Sequence, residues 1–185
     1  MSLTPSTMLP LGSKAPEFRL WEPGGSMVSL EDFQEAPALL VMFICNHCPY
    51  VKAVIDRVVA DARALMAEGI GLAAICSNDA TAYPADSFAA MQRFAQAHVF
   101  PFPYLHDEDQ SAARTWRCLH PRFLRLRREP PAQISWSPRR RPHRAAAVRR
   151  ARELVDAMRA IAATGMAPSD QVPSIGCSIK WKAAA

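Results

Sequence analysis

Apolar residues in the first half of the chain form two continuous runs separated by a stretch with helical spacing. The runs cover residues 38–44 and 70–76, and each has the length of a strand. Continuous apolar runs of this length are typical of strands that are covered on both faces of a sheet. Between them, apolar residues recur at helical spacing over 51–65, and Glu68-Gly69 ends the pattern. Strand, helix and strand in this order predict a parallel α/β core.

Shorter patterns extend this prediction on both sides. Residues 1–37 indicate an extended lead-in that contains a turn at 22–25 and a short helical turn that Ser29 is placed to cap. A chain of 185 residues can bury one core, so we predict a single domain over residues 1–185. The remaining predicted elements are helices at 86–98 and 145–164 and a short extended piece at 102–105.

Composition and the N-terminal residues bear on protein class and location. Hydrophobic residues make up 50% of the chain and charged residues 21%, as in ordinary soluble domains. No apolar run approaches the about 20 residues that a membrane-spanning helix needs. The N-terminus also lacks the basic and apolar regions of a signal peptide. We therefore expect a cytoplasmic protein with no membrane partner. Five cysteines, an odd number, do not indicate a disulfide framework.

The motif Cys45-Asn46-His47-Cys48 joins the first predicted strand to the first predicted helix. Pro49 follows it and is compatible with the first helical turn, where a proline sacrifices no hydrogen bond. At the helix N-terminus, Cys45 would meet backbone N–H groups and the positive end of the helix dipole, which lower the pKa of a thiol. We predict that the Cys45 thiolate attacks a disulfide and that Cys48 resolves the mixed disulfide. His47 would add positive charge beside the thiolate.

Other interpretations of these cysteines stay open. A C-x-x-C pair is also half of a zinc site, although the chain has no second C-x-x-C and no H-x3-H. Cu(I) bound by Cys45, Cys48 and His47 is a further alternative, because soft thiolates suit that ion. His47 is alternatively a solvated spacer. Cys76 ends a buried strand and is expected to be an inert core thiol.

Four stretches of the sequence together resemble a known family: FICNHCPYVKA, ICSNDATAYPADSF, FPYLHDEDQSAAR and PSIGCSIKWK. They are similar to a peroxiredoxin-like branch of the thioredoxin superfamily, whose members are called redoxin or alkyl hydroperoxide reductase/thiol-specific antioxidant domain proteins. The resemblance implies a thioredoxin-like fold, with a central mixed sheet flanked by helices, and thiol redox activity. Cys177 lies in the family-like tail, where it either packs against the active site or acts as a third redox thiol.

The chain departs from the signature of true peroxiredoxins. That signature is Pro-x-x-x-Thr-x-x-Cys around the cysteine that reacts with peroxide. Aligned on Cys48, the threonine position is Cys45 and the proline position is Val41. Disulfide exchange therefore fits these residues better than peroxide reduction, and a thiol peroxidase with an antioxidant role remains an alternative.

The net charge of +5 comes from one segment. Residues 117–150 contain eleven Arg and one Glu, with no Lys and no Asp, so the remainder of the chain is acidic. An Arg-rich run is typical of a solvated face or a nucleic-acid-binding patch. Here it occupies the place where the resemblance implies a cis-proline loop and a β-hairpin, and it is an anomalous segment that replaces both. Pro121 takes the position of the cis-proline.

A shift of reading frame explains this segment better than selection for arginine. Codons can be chosen for residues 119–140 that, read one base later, encode sequences similar to the family's cis-proline loop and hairpin. We therefore hypothesise a frameshifted segment near 116–150 and predict no nucleic-acid partner. Translated as it stands, the segment would form two short strands at 123–126 and 133–136. The shift is either a sequencing error or a genuine frameshift in the gene. Sequencing the gene across codons 110–152 tests the first version, which fails if several clones carry the present frame.

The residues and the resemblance together predict a thiol–disulfide oxidoreductase of thioredoxin/peroxiredoxin-like type that uses a CxxC dithiol. Its expected partner is a disulfide-containing protein or a small-molecule thiol or disulfide, and no organic cofactor or metal is assigned. A Zn- or Cu(I)-binding module that uses the same cysteines is the alternative from a different class. The predicted site consists of catalytic Cys45 and Cys48, with supporting Asn46, His47, Pro49 and Pro121 and the possible third redox thiol Cys177.

Overall fold

Short strands alternate with helices in the part of the chain that the structure describes. The computed structural model describes residues 3–5, 15–116, 123–124, 133–134, 153–166 and 175–183. The strands are β1 (Leu3–Pro5), β2 (Arg19–Trp21), β3 (Met27–Ser29), β4 (Leu39–Phe43), β5 (Gly71–Cys76), β6 (Tyr104–His106), β7 (Phe123–Leu124), β8 (Gln133–Ile134) and β9 (Ile175–Cys177). The helices are α1 (Pro49–Lys52), α2 (Ile55–Ala67), α3 (Phe88–Ala97), α4 (Ser111–Thr115) and α5 (Glu153–Thr164), with 3-10 helices at Leu30–Phe33 and Pro84–Asp86.

The two continuous apolar runs are neighbouring parallel strands, as predicted. Leu39 of β4 lies opposite Gly71 of β5, and Phe43 lies opposite Ile75. β6 continues the parallel pairing beside β5, whereas β2 and β3 join in antiparallel orientation. The sheet therefore has five strands in the order β3-β2-β6-β5-β4. This mixed sheet flanked by helices confirms the predicted α/β fold.

Both faces of the sheet are covered, which explains the unbroken apolar runs. On one face, Leu40 and Leu72 pack in a core cluster with residues of α2 and α5. On the other face, Val41 and Ile75 pack in a second cluster with Trp116. Full burial of such a Leu or Ile side chain contributes about 1.5–3 kcal/mol. These clusters fix the register of β4 and β5, and with it the position of the loop that follows β4.

The helices agree with the periodicity except in one place. The predicted helix over 51–65 is divided into α1 and α2, because Val54 lies at φ −128° and ψ −5°, outside the helical range. α3 and α5 lie within the predicted segments 86–98 and 145–164, while α4 is too short to show periodicity. Within the described residues, no helix combines the length and the apolar character that crossing a bilayer requires.

The extended lead-in is a hairpin of β2 and β3 on the far edge of the sheet from β4. Its turn includes Gly25 at φ 91°, a conformation that side chains other than glycine rarely adopt. The short helical turn begins after Ser29, as predicted. The backbone N–H and the hydroxyl of Ser29 both donate to the Asp32 carboxylate, at 2.7 and 3.0 Å. The pair therefore caps the first 3-10 helix.

Only short pieces of the anomalous segment lie within the described residues. The backbones of β7 and β8 pair in antiparallel orientation, with Phe123 opposite Ile134, and β7 lies beside β4. This agrees with the predicted strands at 123–126 and 133–136. Pro121 and the remainder of 117–150 lie outside the described residues. The frameshift hypothesis, the role of Pro121 and the single-domain assignment over 1–185 therefore stay predictions.

Candidate active site

The cysteine motif lies at the carboxyl end of β4, where the chain turns into α1. Cys48 is the N-cap of α1, with φ −68° and ψ 119°, and Pro49 is the first helical residue. We expected Cys45 at this helix N-terminus, and that part of the prediction is wrong, because the helix begins only after Cys48. Cys45 is half-buried in the irregular loop that precedes the helix, whereas Cys48 is 3% exposed.

The Cys48 sulfur is surrounded by hydrogen-bond donors. The Cys45 thiol donates to it, the Cys177 sulfur lies 3.1 Å away, and the backbone N–H groups of Val51 and Tyr50 at the start of α1 also donate. Together these groups lower the pKa of Cys48 to about 5, and the bond from Cys45 has the largest effect. Because hydrogen bonds to a thiolate favour the charged form, these contacts favour ionisation at Cys48.

Cys45 has the opposite electrostatic environment. Its hydrogen bond to Cys48, its burial and the nearby Asp86 carboxylate, in that order, raise the pKa of the Cys45 thiol far above its usual value. A second negative charge beside the Cys48 thiolate would be strongly unfavourable. These surroundings favour a proton on Cys45 and a negative charge on Cys48.

Asp86 organises the loop that contains the motif. Its side chain is fully buried, and its two oxygens accept hydrogen bonds from the backbone N–H of Asn46 at 2.8 Å and from Nδ2 of Asn78 at 2.7 Å. Nδ1 of His47 lies 2.6 Å from Oδ2. A buried carboxylate is costly unless it is hydrogen-bonded in this way. These bonds hold Asn46 and His47 in the loop, and the helix therefore starts after them.

Asn46 connects the motif to two further elements. Its Nδ2 donates to the carbonyl oxygen of Ala85 at 2.9 Å, in the second 3-10 helix. Its Oδ1 accepts a hydrogen bond from the hydroxyl of Tyr104 in β6, also at 2.9 Å. Asn46 is 6% exposed, so both bonds lie in a region of low solvent access. The loop is therefore anchored at its backbone and at its side chains.

His47 is held on two sides, which rules out the interpretation as a solvated spacer. An ionised carboxylate only accepts hydrogen bonds, so Nδ1 of His47 carries a proton and donates to Asp86. The imidazole also stacks on the ring of Tyr83, with centroids 5.4 Å apart and planes 9° apart. The Lys180 ammonium lies 6.0 Å from the centre of the same Tyr83 ring. His47 thus has a fixed orientation beside the cysteine pair.

The other two cysteines of the described residues differ in their surroundings. Cys76 at the end of β5 is fully buried, and mainly this burial raises the pKa of its thiol to about 12. That environment fits the expected inert core thiol. Cys177 in β9 packs against Cys48, in agreement with the expectation that the tail folds back on the motif. No disulfide links Cys45, Cys48, Cys76 and Cys177.

Local sequence patterns do not single out Asp86 or Tyr104 as site residues. They place Asp86 at the start of the predicted helix over 86–98 and Tyr104 in the short extended piece at 102–105. Asp86 is 40 residues from Asn46 along the chain, and Tyr104 is 58 residues from it. A pattern of neighbouring residues in the sequence does not indicate such a contact. Pro121, which was predicted to support the site, lies outside the described residues.

One group of side chains has donor atoms suited to a metal ion. Single donor atoms of Cys45, His47 and Asp86 lie within 4.8 Å of one another. Sulfur, imidazole nitrogen and carboxylate oxygen are ligands that zinc accepts. However, the Asp86 oxygens already accept from three donors, so an ion would have to replace the bond between His47 and Asp86. The geometry is therefore better suited to the hydrogen-bonded thiol pair.

Two solved structures resemble the chain over nearly its whole length. An uncharacterized conserved protein from Geobacillus kaustophilus is 39% identical, with a TM-score of 0.89 and coverage of 100% of this chain and 99% of that chain. A hypothetical protein from Sinorhizobium meliloti 1021 is 34% identical, with a TM-score of 0.87 and coverage of 98% and 100%. No curated protein matches the chain.

More distant structures share the fold alone. Peroxidoxin BcpB from Mycobacterium tuberculosis is 15% identical, with a TM-score of 0.62 and coverage of 83% of this chain and 99% of that chain. Other neighbours include thioredoxin-like disulfide oxidoreductases, which confirms the predicted thioredoxin-like fold. A family profile described as the AhpC/TSA family matches residues 11–161. Since this match spans most of the sequence, the chain belongs to the AhpC/TSA family.

Proposed function

We propose that the protein is a thiol–disulfide oxidoreductase in which the Cys48 thiolate attacks the substrate and Cys45 resolves the mixed disulfide. These roles are the reverse of those predicted from the sequence. The observation that carries the proposal is the environment of the Cys48 sulfur, which accepts hydrogen bonds from two thiols and from the backbone of α1. Membership of a thiol redox family is consistent with it.

The first step needs no separate base, because a pKa of about 5 leaves Cys48 ionised at neutral pH. The thiolate attacks one sulfur of a substrate disulfide. A new S–S bond forms between Cys48 and that half of the substrate, and the other half leaves as a thiolate.

The second step depends on the loss of charge at Cys48. Formation of the mixed disulfide removes the thiolate, and with it the largest cause of the raised pKa of Cys45. We assign His47, which has a ring nitrogen within 4.8 Å of the Cys45 sulfur, as the base. Because its Nδ1 proton is directed at Asp86, Nε2 is the atom that accepts the proton of Cys45. Cys45 then attacks the Cys48 sulfur and releases the second half of the substrate. Two protein thiols are oxidised to one disulfide, and one substrate disulfide is reduced to two thiols.

The substrate class is a disulfide of a protein or of a small molecule. The proposed cycle transfers electrons only between sulfur atoms, so it requires no organic cofactor. A cellular thiol system would return the Cys45–Cys48 disulfide to the dithiol.

Single-turnover release of thionitrobenzoate from 5,5′-dithiobis(2-nitrobenzoate) tests which cysteine attacks first. We expect Cys48→Ser to lose the fast release of the first equivalent, and Cys45→Ser to retain it. Cys76→Ser is the matched control, because Cys76 is fully buried in the core. The proposal fails if Cys45→Ser loses the first equivalent while Cys48→Ser releases it at the wild-type rate.

Peroxide reduction is the second candidate, and the burial of Cys48 favours it. Cys48 is 3% exposed, and a molecule as small as hydrogen peroxide reaches such a buried residue more easily than a folded protein does. The thiolate would attack one peroxide oxygen and form a sulfenic acid, while the other oxygen leaves as water. A neighbouring thiol would then condense with the sulfenic acid and release a second water.

Peroxide consumption with a dithiol reductant distinguishes the two candidates. A peroxidase requires Cys48 and tolerates the loss of Cys45 if another thiol resolves the sulfenic acid. We expect slow peroxide consumption by the wild type relative to its disulfide exchange, because the peroxiredoxin threonine position is Cys45. Faster turnover with peroxide than with a disulfide would make peroxide reduction the primary function.

A further inference from the structure

Cys177 lies against the proposed nucleophile although 129 residues separate the two along the chain. Its sulfur is 3.1 Å from that of Cys48, and it packs on the cluster that contains Val51 and Ile55. Burial and its bond to Cys48 raise the pKa of the Cys177 thiol to about 11, so Cys177 is the protonated member of this pair. Because a disulfide bond is about 2 Å long, an approach of about 1 Å would join the two sulfurs.

The chain on both sides of Cys177 is held in place. On the N-terminal side, β9 pairs with β1, and Cys177 lies opposite Leu3. On the C-terminal side, the backbone N–H and the backbone carbonyl oxygen of Lys180 both form hydrogen bonds. Its N–H donates to Oδ1 of Asn78 at 2.9 Å, and its carbonyl oxygen accepts from the backbone N–H of Asp79 at 2.8 Å. The approach of Cys177 to Cys48 is therefore fixed by contacts that do not involve either sulfur.

Gln110 makes several of the hydrogen bonds that hold the C-terminal segment in place. Its Nε2 donates to the carbonyl oxygens of Ser77 at 2.7 Å and Lys180 at 2.9 Å, and its Oε1 accepts from the backbone N–H of Lys182 at 2.9 Å. The residue is fully buried and has φ 62°, the left-handed region that costs a non-glycine residue about 1 kcal/mol. Such a conformation persists where surrounding contacts stabilise it, and here two of these contacts are with the tail.

We infer that Cys177 is a second resolving thiol, which competes with Cys45 for the oxidised Cys48, and that Gln110 is a positioning residue for it. This inference rests on the proposed function, since Cys48 must react first. It also accounts for the contacts that hold the C-terminal segment in place, because they keep a thiol beside the Cys48 sulfur.

The chemistry balances without an additional reactant. In the mixed disulfide, Cys177 gives its proton to solvent and attacks the Cys48 sulfur, and the bound half of the substrate leaves as a thiol. In a second reaction, Cys45 attacks the Cys48 sulfur of the Cys48–Cys177 disulfide and releases the Cys177 thiolate. That exchange is an isomerisation with no net oxidation. The oxidised protein would therefore distribute between two disulfides that share Cys48.

Variants that remove one competing thiol at a time test the inference. All carry Cys118→Ser, so that the fifth thiol of the chain cannot react with the reagent. Each protein is treated with one equivalent of 5,5′-dithiobis(2-nitrobenzoate), the released thionitrobenzoate is counted, and disulfides are mapped by mass spectrometry. We expect Cys45→Ser to release two equivalents and to contain the Cys48–Cys177 disulfide. Cys177→Ser should release two and contain Cys45–Cys48, whereas the double variant should stop at one equivalent.

Two results would overturn the inference or its foundation, and they differ. If Cys45→Ser stops at one equivalent, like the double variant, Cys177 does not resolve Cys48 and the inference fails while the proposed function stands. If Cys48→Ser releases the first equivalent at the wild-type rate, the proposed function itself fails.

Gln110→Gly tests the positioning role without the risk of backbone strain. Glycine adopts φ 62° readily, so the variant is expected to fold, but it lacks the amide that binds the tail. In the Cys45→Ser background, we expect release of the second equivalent to slow about tenfold, with the first equivalent unchanged. Gln92→Ala, at an exposed position of α3, is the control and should leave both rates unchanged. An unchanged second rate in Gln110→Gly would overturn the positioning role.

Discussion

The carboxyl ends of β4 and β5 lie side by side, and each is close to a cysteine with a different character. Cys76 is the last residue of β5, fully buried, and burial is the main cause that raises the pKa of its thiol to about 12. Cys48 follows β4 and is nearly as buried, at 3% exposure, yet its pKa is lowered to about 5. Low exposure therefore does not decide the charge of a thiol in this protein.

The difference between the two ends lies in the hydrogen-bond donors. Two thiols and backbone N–H groups of α1 donate hydrogen bonds to the Cys48 sulfur. They stabilise the thiolate despite its loss of hydration. The Cys76 thiol is buried and lies near the Asp86 carboxylate, and both factors disfavour its ionisation. In this protein, a loop and a helix N-terminus after the strand favour a reactive thiol, whereas the strand end by itself favours an inert one.

The largest expected effect is the difference in reactivity between these two cysteines. At pH 7, we expect iodoacetamide to alkylate Cys48 at least about 100-fold faster than Cys76, because only Cys48 is ionised. The rate at each cysteine is followed by peptide mass spectrometry as a function of pH. The Cys48 rate should fall only as the pH drops through about 5. Equal alkylation rates for the two thiols in the folded protein would contradict the difference in ionisation between Cys48 and Cys76.

Removal of the Cys45 thiol should weaken the thiolate at Cys48. Hydrogen bonds to charged groups contribute about 1.5–3 kcal/mol, so Cys45→Ala should raise the pKa of Cys48 and slow its alkylation at pH 5 about tenfold or more. The measurement is the pH profile of alkylation, and Cys76→Ala is the control. A profile that does not move in Cys45→Ala would mean that α1 and Cys177 suffice to stabilise the charge.

Asp86→Asn should destabilise the loop, because the buried carboxylate accepts from Asn46, Asn78 and His47. We expect a loss of about 1–3 kcal/mol in the free energy of unfolding, measured with urea at pH 7. Asp56→Asn is the matched control. Asp56 also bonds to a histidine, His98 at 2.9 Å, but its side chain is 89% exposed.

The control should leave the unfolding midpoint unchanged, because exposed ion pairs contribute little. Equal losses for Asp86→Asn and Asp56→Asn would contradict the role of Asp86 as the organiser of the loop.

The smallest effect is expected for the ring that stacks on His47. Tyr83→Leu removes this contact and should slow the resolving step by about two- to tenfold, since such aromatic pairs contribute about 0.5–1.5 kcal/mol. Phe88→Leu is the control, because Phe88 is as exposed as Tyr83, at 39%, and pairs with His106. A slower first step in Tyr83→Leu would indicate that the ring acts on Cys48 instead.

Much of the fold could be predicted from local patterns. The continuous runs at 38–44 and 70–76 became β4 and β5 because strands covered on both faces must be apolar throughout. The predicted helix over 51–65 was correct in type but not in continuity, since the backbone at Val54 departs from helical geometry. The site was predicted only in part. Its cysteines are recognisable by spacing, whereas the residues near Asp86 in the sequence do not indicate its contacts with the loop.

The sequence by itself determined the order of strands and helices and the position of two cysteines between a strand and a helix, because these features depend on neighbouring residues. Only the tertiary structure places the groups that favour a charge on Cys48 over Cys45. They include a loop fixed by a carboxylate 40 residues beyond Asn46 and a thiol 129 residues beyond Cys48. Electrostatic and hydrogen-bond energies follow distance in space, and distance in space is set only when the chain has folded.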